Sequence, residues 1–278
     1  MKRKVGFVLG LFALITGFSQ LVSAQGNLLV APIRVVFEGT KQKEDLNLTN
    51  IGQDTAVYLV SFIQYKMKED GSFLQLDNVD SITTRSDKYL RIFPRKVVLP
   101  PGESQTIRMQ YRKPADLKDG EYRSHLYFRA EKEVSALGMN TTQTDTTQMS
   151  VSITPVFGIS IPVIIRNGNL AYKMSLSDVA LTTVNDTVSN LTFLINRTGD
   201  RSSYGNLRAE FVPAVGKAFD VGQANGVGVY TDLSARKFSM SIRNRAEQRL
   251  KNGKLVIHYS LPREEGDTEL AKTEFKIP

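Results

Sequence analysis

The sequence predicts an all-β protein made of two β-sandwich domains in tandem. Three observations predict it. Beyond residue 24 no stretch carries a convincing helical repeat of apolar residues. Short β-rich runs follow one another instead, separated by turns of glycine, proline, asparagine and aspartate, the pattern of sandwiches. Finally, about 250 residues remain after the first 24, a length that suits two domains of ordinary size.

The first 24 residues stand apart from that fold. Lys2, Arg3 and Lys4 form a basic start, Val5 to Phe18 is mostly apolar, and Val22-Ser23-Ala24 ends the stretch in small residues. This is the pattern of a cleavable secretory signal peptide, residues 1–24. Its apolar run is short for a membrane-spanning helix, which needs about 20 residues. Removing it lowers the formal net charge from +8 to +5, a mild excess spread along the chain. Solubility explains that excess as well as an anionic partner does. There is no cysteine, so an exported protein of this kind is held by its cores, without disulfides.

The first domain is expected over residues 25–167. Leu29 to Phe37 reads as an edge strand interrupted by Pro32 and Arg34. Asp45 to Thr49 alternates Leu46 and Leu48 before the turn Asn50-Ile51-Gly52. Ala56 to Met67 is a long β-rich run ending at Glu69-Asp70-Gly71. Leu90 to Leu99 leads into the turn Pro100-Pro101-Gly102-Glu103. Gln105 to Tyr111 puts Ile107, Met109 and Tyr111 on one face, and Glu121 to Ala130 does the same with Tyr122, Leu126 and Phe128.

The stretch Met149 to Arg166 has the strongest pattern. Its odd positions from Val151 run Ile153, Pro155, Phe157, Ile159, Ile161, Val163 and Ile165, against mostly small or polar even positions broken by Val156 and Ile164. Such alternation is one strand with a single apolar face. From 151 to 165 it would span about 50 Å, against roughly 17–20 Å for a usual strand. Read from its residues alone it is an ordinary core strand or a strand with apolar face to spare. Before it, Glu131 to Gln148 is polar and threonine-rich, the composition of a long loop.

With this strand the first domain counts seven, a number that suits an immunoglobulin-like topology, although the Cys-Trp-Cys hallmark of antibody domains is absent. Three segments then resemble one family. Ala31-Pro32-Ile33-Arg34-Val35-Val36-Phe37-Glu38-Gly39 resembles the first strand of the periplasmic pilus-assembly chaperones, the PapD-like family. Phe93 to Arg108, with its proline-glycine turn, is similar to that family's central segment. Val163-Ile164-Ile165-Arg166 matches the apolar triplet and arginine that close its first domain. The resemblance covers the first domain well and the second loosely.

The resemblance implies two immunoglobulin-like β-sandwich domains set as a boomerang. It also implies a chaperone that lends its first domain's last strand to incomplete pilus or fimbrial subunits, a known form of β-augmentation. The family anchors the subunit's C-terminal carboxylate with an arginine, which falls at Arg34. A guanidinium suits that task because it grips a carboxylate through two parallel hydrogen bonds. The alternative for Arg34 is an edge-strand arginine in solvent. The family's second anchor, a lysine four residues before the closing arginine, falls on Pro162. The donated side chains fall at Val151, Ile153, Pro155 and Phe157, where Pro155 cannot give a ladder hydrogen bond. Arg166 would pair with acids and fix the angle between the domains.

The second domain is expected over residues 168–278, after Asn167-Gly168-Asn169, with strands near 170–176, 190–196, 206–212, 236–242, 253–261 and 269–277. Asn196 to Gly205 reads as a polar turn, and Gly222 to Gly228 as a hairpin. Catalytic parts are scarce: only His125 and His258, no cysteine, and no spacing of metal ligands. Both histidines read as surface or core residues of alternating strands. No dense basic patch with interleaved aromatics points to nucleic acid.

The expectation is therefore a non-enzymatic periplasmic chaperone without cofactor or stable membrane insertion. Its partners would be pilus or fimbrial subunits and an outer-membrane usher. Arg34 would bind the subunit carboxylate, and Val151, Ile153 and Phe157 would act as donor residues. The alternative is an exported two-domain structural or adhesive protein whose strand 149–166 is satisfied within its own domain.

Overall fold

The computed structural model of the protein describes residues 28–131, 157–185, 187–243 and 250–277. The expected signal peptide, most of the threonine-rich loop, and Val151, Ile153 and Pro155 lie outside the described residues.

The chain folds as two β-sandwiches. The first contains β1 (Leu28–Ala31), β2 (Val35–Phe37), β3 (Lys43–Asn50), β4 (Ala56–Ile63), β5 (Tyr65–Met67), β6 (Phe73–Gln75), β7 (Leu90–Phe93), β8 (Lys96–Leu99), β9 (Ser104–Tyr111), β10 (Gly120–Glu131) and β11 (Gly158–Asn167). One sheet runs β1-β3-β9-β7 and faces a second, β2-β11-β10-β4-β8, while β5 and β6 form a small separate hairpin. Alternation decides which side chains meet between the sheets. Leu46 and Leu48 of β3, Ile107 and Met109 of β9, and Leu126 and Phe128 of β10 are all fully buried there.

The second sandwich contains β12 (Tyr172–Asn185), β13 (Val188–Gly199), β14 (Ser203–Pro213), β15 (Phe219–Val229), β16 (Ala235–Arg243), β17 (Gly253–Ser260) and β18 (Glu269–Ile277). Its sheets run β12-β13-β16 and β15-β14-β17-β18 around a separate core that includes Leu191, Phe193, Phe211, Leu255 and Tyr259.

Three readings of the sequence need correction. Leu29 to Phe37 is not one kinked strand. The chain bends at Pro32–Arg34, so β1 pairs with β3 in one sheet while β2 pairs in parallel with β11 in the other. Leu90 to Leu99 divides in the same way: β7 pairs with β9, and β8 crosses to β4 after Pro94. Sandwiches use such bends to carry one chain across both sheets, and proline supplies them because it gives up a ladder donor. Gly222 to Gly228 is no hairpin but the interior of β15. There Asn225 and Gly226 oppose the single residue Asn206 in a bulge. Gly226 takes φ +69°, and its N–H donates to Asn206 Oδ1 at 3.1 Å. An asparagine-glycine pair in a polar setting suggests a turn, but here Asn225 and Gly226 are taken up by the bulge.

The turn at Asn50 shows how polar groups hold the first sandwich. The buried Asn50 side chain donates to the carbonyls of Leu99 (2.8 Å) and Asp54 (2.7 Å), and accepts the Gly52 N–H (2.9 Å). It ties β3, the turn and β8 together. Asn50→Ala, which leaves a buried carbonyl without its donor, is expected to lower stability by about 1–3 kcal/mol in urea unfolding, without changing the fold seen by circular dichroism.

Candidate functional site

The site is built on two neighbouring strands, β10 and β11, which pair along the whole length of β11 from Arg129↔Gly158 to Gly120↔Asn167. On its other side β11 meets only the short β2, over Val163, Ile164 and Ile165. Among the described residues no strand pairs with that side of Gly158 to Pro162. Among the described residues the half of β11 nearer its start is therefore an uncovered sheet edge, and such an edge is a template for another strand.

The inward face of the same strand runs out of the core in the same direction. Ile165, Val163 and Ile161 are buried, Ile159 is half-buried, and Phe157 is 48% exposed although its carbonyl still accepts the Ala130 N–H at 3.0 Å. Phe157 thus has the parity of a core residue without a core over it. Exposed apolar side chain and open backbone coincide at one end of one strand.

The outward face of the two strands is chemically different. Cross-strand partners share a face, so the outward rows read Glu121 with Arg166, then Arg123 with Ile164 and Val36, then His125 with Pro162. Arg34 directly precedes β2 on the same outward parity as Val36, because Val35 and Phe37 point into the core. Its side chain is not in solvent: only 10% is exposed. The guanidinium lies over the Tyr204 ring, 4.6 Å from its centroid, and 3.5 Å from Glu265, both on the second sandwich. Its Nε is buried and has no hydrogen-bond partner. Burial, and then the neighbouring Arg166 guanidinium, lower the Arg34 pKa below the ordinary arginine value.

Pro162 brings no cation to this face. The next guanidinium is Arg123, one row along, which lies 4.0 Å from the Tyr230 centroid and donates through Nη2 to Asp232 and the Tyr65 carbonyl. The sequence reading missed Arg123. Its only signal was parity with Glu121 and His125 on one strand.

Arg166 is buried and has two acidic partners: Nε donates to Glu121 (3.1 Å) and Nη1 to Glu38 (3.1 Å). Both acids are in the first sandwich, and the link to the second runs through Ser202. The Ser202 carbonyl accepts from Arg166 Nη2 at 3.4 Å, and its N–H and hydroxyl donate to the same Glu121 oxygen at 3.0 and 2.8 Å. The segment Asn196 to Gly205, read from sequence as a plain polar turn, therefore carries the joint between the sandwiches. Arg197 holds it in shape by donating to the carbonyls of Gly199, Arg201 and Leu233.

A second bridge is the β5–β6 hairpin, which the sequence reading did not separate from β4. Met67 N–H donates to Asp232 (3.1 Å), the Glu69 carbonyl accepts from the Lys237 N–H (2.7 Å), and Met67, Ile164 and Tyr230 form a small apolar cluster. Ile164, which broke the alternation of its strand, is buried there. Gly71 makes the hairpin tip with φ +82°. His125 is 3% exposed and sits edge-on to Tyr65 and Phe73, with both ring nitrogens unpartnered. Among the described residues, no group of three or more His, Asp or Glu is placed to hold a metal, and no helix is long and apolar enough to cross a membrane.

No family model and no curated protein matches the sequence. Solved structures do match. The chain is similar to fimbrial chaperones. The YadV chaperone aligns over 90% of this chain and 100% of its own, at 12% identity and a TM-score of 0.45. The class 5 fimbriae chaperone CfaA aligns over 91% and 100%, at 17% identity and a TM-score of 0.42. A third match, over 90% and 98% at 13% identity and a TM-score of 0.42, is the CsuC–CsuE chaperone–tip adhesion subunit pre-assembly complex from Csu pili of Acinetobacter baumannii.

Two predictions follow from the joint. Glu121→Ala leaves the buried Arg166 guanidinium with the half-exposed Glu38 as its one acidic partner among the described residues, and is expected to cost roughly 3–5 kcal/mol in urea unfolding. The paired replacement Glu121→Leu with Arg166→Met is expected to cost much less. The second prediction concerns pH. Burial, and next the Arg123 charge, pull the His125 pKa down to about 3, from an ordinary 6.5. On acidification the unfolded chain takes up a proton that the folded chain refuses. The His125 contribution to stability is therefore whole above pH 6.5 and declines as pH falls from 6.5 toward 3, by at most about 1.4 kcal/mol per pH unit. Stability measured against pH should show this slope between pH 6.5 and 5, and His125→Phe should remove it.

Proposed function

We propose that the protein is a periplasmic chaperone that caps incomplete immunoglobulin-like pilus or fimbrial subunits by donor-strand complementation. The observation that carries this reading is the start of β11, where an open sheet edge and an apolar face leaving the core coincide. A subunit that lacks one strand has the complementary defect: a groove with unpaired backbone and no apolar filling. Laying this strand into that groove satisfies both, with backbone hydrogen bonds for affinity and alternate side chains for fit.

The donor residues are Val151, Ile153 and Phe157, which share the odd-numbered positions of Ile159 and Ile161 in the sequence alternation. Burying each contributes about 1.5–3 kcal/mol as an upper figure, offset in part by the ordering of chain and partner. Arg34 holds the subunit's C-terminal carboxylate. Its buried guanidinium with a free Nε supports that role, since a charge-assisted bond is stronger away from water. Delivery to an outer-membrane usher completes the reading.

Co-expression with an incomplete immunoglobulin-like subunit is the test. Wild type is expected to recover a soluble complex. Ile153→Asp and Phe157→Asp should abolish it by placing a charge in an apolar groove, and Arg34→Ala should weaken it at least tenfold. Equal recovery of the subunit by all three variants and wild type would overturn the proposal.

A further inference from the structure

We infer that Glu265 is an internal carboxylate that covers Arg34 and competes with an incoming one. The inference rests on the reading of Arg34 as a carboxylate anchor and adds its regulation. Glu265 ends a short 3-10 turn, Arg263–Glu265, in the loop between β17 and β18 of the second sandwich, directly before Gly266 at φ +105°. The turn is closed by its own backbone, with the Glu265 N–H on the Pro262 carbonyl at 2.9 Å and the Gly266 N–H on the Arg263 carbonyl at 3.1 Å.

Three features of this contact bear on the inference. The first is distance: 3.5 Å between Arg34 Nη1 and Glu265 Oε1 is an ion pair outside the 2.7–2.9 Å of a strong charge-assisted hydrogen bond. A carboxylate free to align with the guanidinium plane would do better. The second is exposure. The Glu265 side chain is 42% exposed while Arg34 is nine-tenths buried, so the acid leaves toward solvent without opening a core. The third is the position of the other acids. Glu121 is committed to Arg166 and Ser202, and Glu38 to Arg166 and Arg201, so neither competes for Arg34.

The physical consequence is a masked site. Burial, and then the Arg166 charge, disfavour the Arg34 cation, and Glu265 is the largest charge opposing them at Arg34. In the free protein Glu265 holds Arg34 in its ring-stacked position. An arriving carboxylate takes over the neutralisation with better geometry, and Glu265 returns to water. The affinity for any carboxylate is reduced by the free energy of the Glu265 contact. For an ion pair whose acid is open to solvent, that is a factor of about two to five.

The test uses N-acetylglycine as a carboxylate probe and its primary amide, N-acetylglycinamide, as the neutral control. Each is titrated against the full-length protein, with the Arg34 Nε–H resonance followed by NMR. Wild type is expected to respond to the acid and not to the amide. Glu265→Gln is expected to bind the acid about two- to fivefold more tightly, with the amide still silent. Arg34→Gln, followed through the backbone amide of the neighbouring Val35 because its guanidinium is gone, should show no response to the acid, whereas that amide should shift in wild type. If Glu265→Gln and wild type bind N-acetylglycine equally, the competition is refuted while Arg34 stands as an anchor. If the acid and amide are indistinguishable at Arg34 in both proteins, the anchor itself is refuted and the competition with it.

Discussion

The structure depends on one buried ion pair and the serine that closes it. Arg166 and Glu121 lie side by side on β11 and β10 with almost no exposed side-chain surface, and the same Glu121 oxygen takes both donors of Ser202 from the other sandwich. Burying two charges is expensive unless each finds further polar partners. Here the partners come from three places: β10, the end of β2 through Glu38, and the β13–β14 connection through Ser202. Glu121 Oε2 collects its three donors only when both sandwiches are in position, while Oε1 is buried without a partner among the described residues. That makes the pair a geometric lock rather than a source of net stability, because moving either sandwich would leave a buried charge short of a partner.

Much else follows from that lock. With Ser202 fixed, Tyr204 two residues on lies under Arg34, and with β11 fixed, Ile164 meets Tyr230 and Met67. The outward face of the β10–β11 pair is then polar and charged at one end and aromatic further along. The opposite face of the same strands is the apolar core of the first sandwich. One strand thus serves two interfaces through its two parities, and at its start it has surface left over for a third.

The alternation of residues made a great deal legible. Leu46 and Leu48, Ile107 and Met109, and Leu126 and Phe128 are each buried as period two requires, because a half-buried strand writes its environment directly into its sequence. The first-strand motif led to Arg34, and the parity of 157–165 led to the strand with an exposed apolar end. What alternation does not encode is which strand lies beside which. Nothing local in Leu90 to Leu99 says that its halves join different sheets, nor do Asn225 and Gly226 say locally that they form a bulge within β15. Those depend on partners far away in the chain.

The same limit applies at the site. By itself the sequence determined the β-sandwich class, the inward faces and the residue types available at each outward position, since these follow from local periodicity and turn chemistry. Only the tertiary structure decided that Glu121, Ser202 and Glu38 converge on Arg166, that Arg34 rests on Tyr204 with Glu265 above it, and that His125 is walled in by Tyr65 and Phe73. These meetings join residues from two sandwiches and several strands. Long-range contacts are set by how whole faces pack, which no single stretch of sequence records.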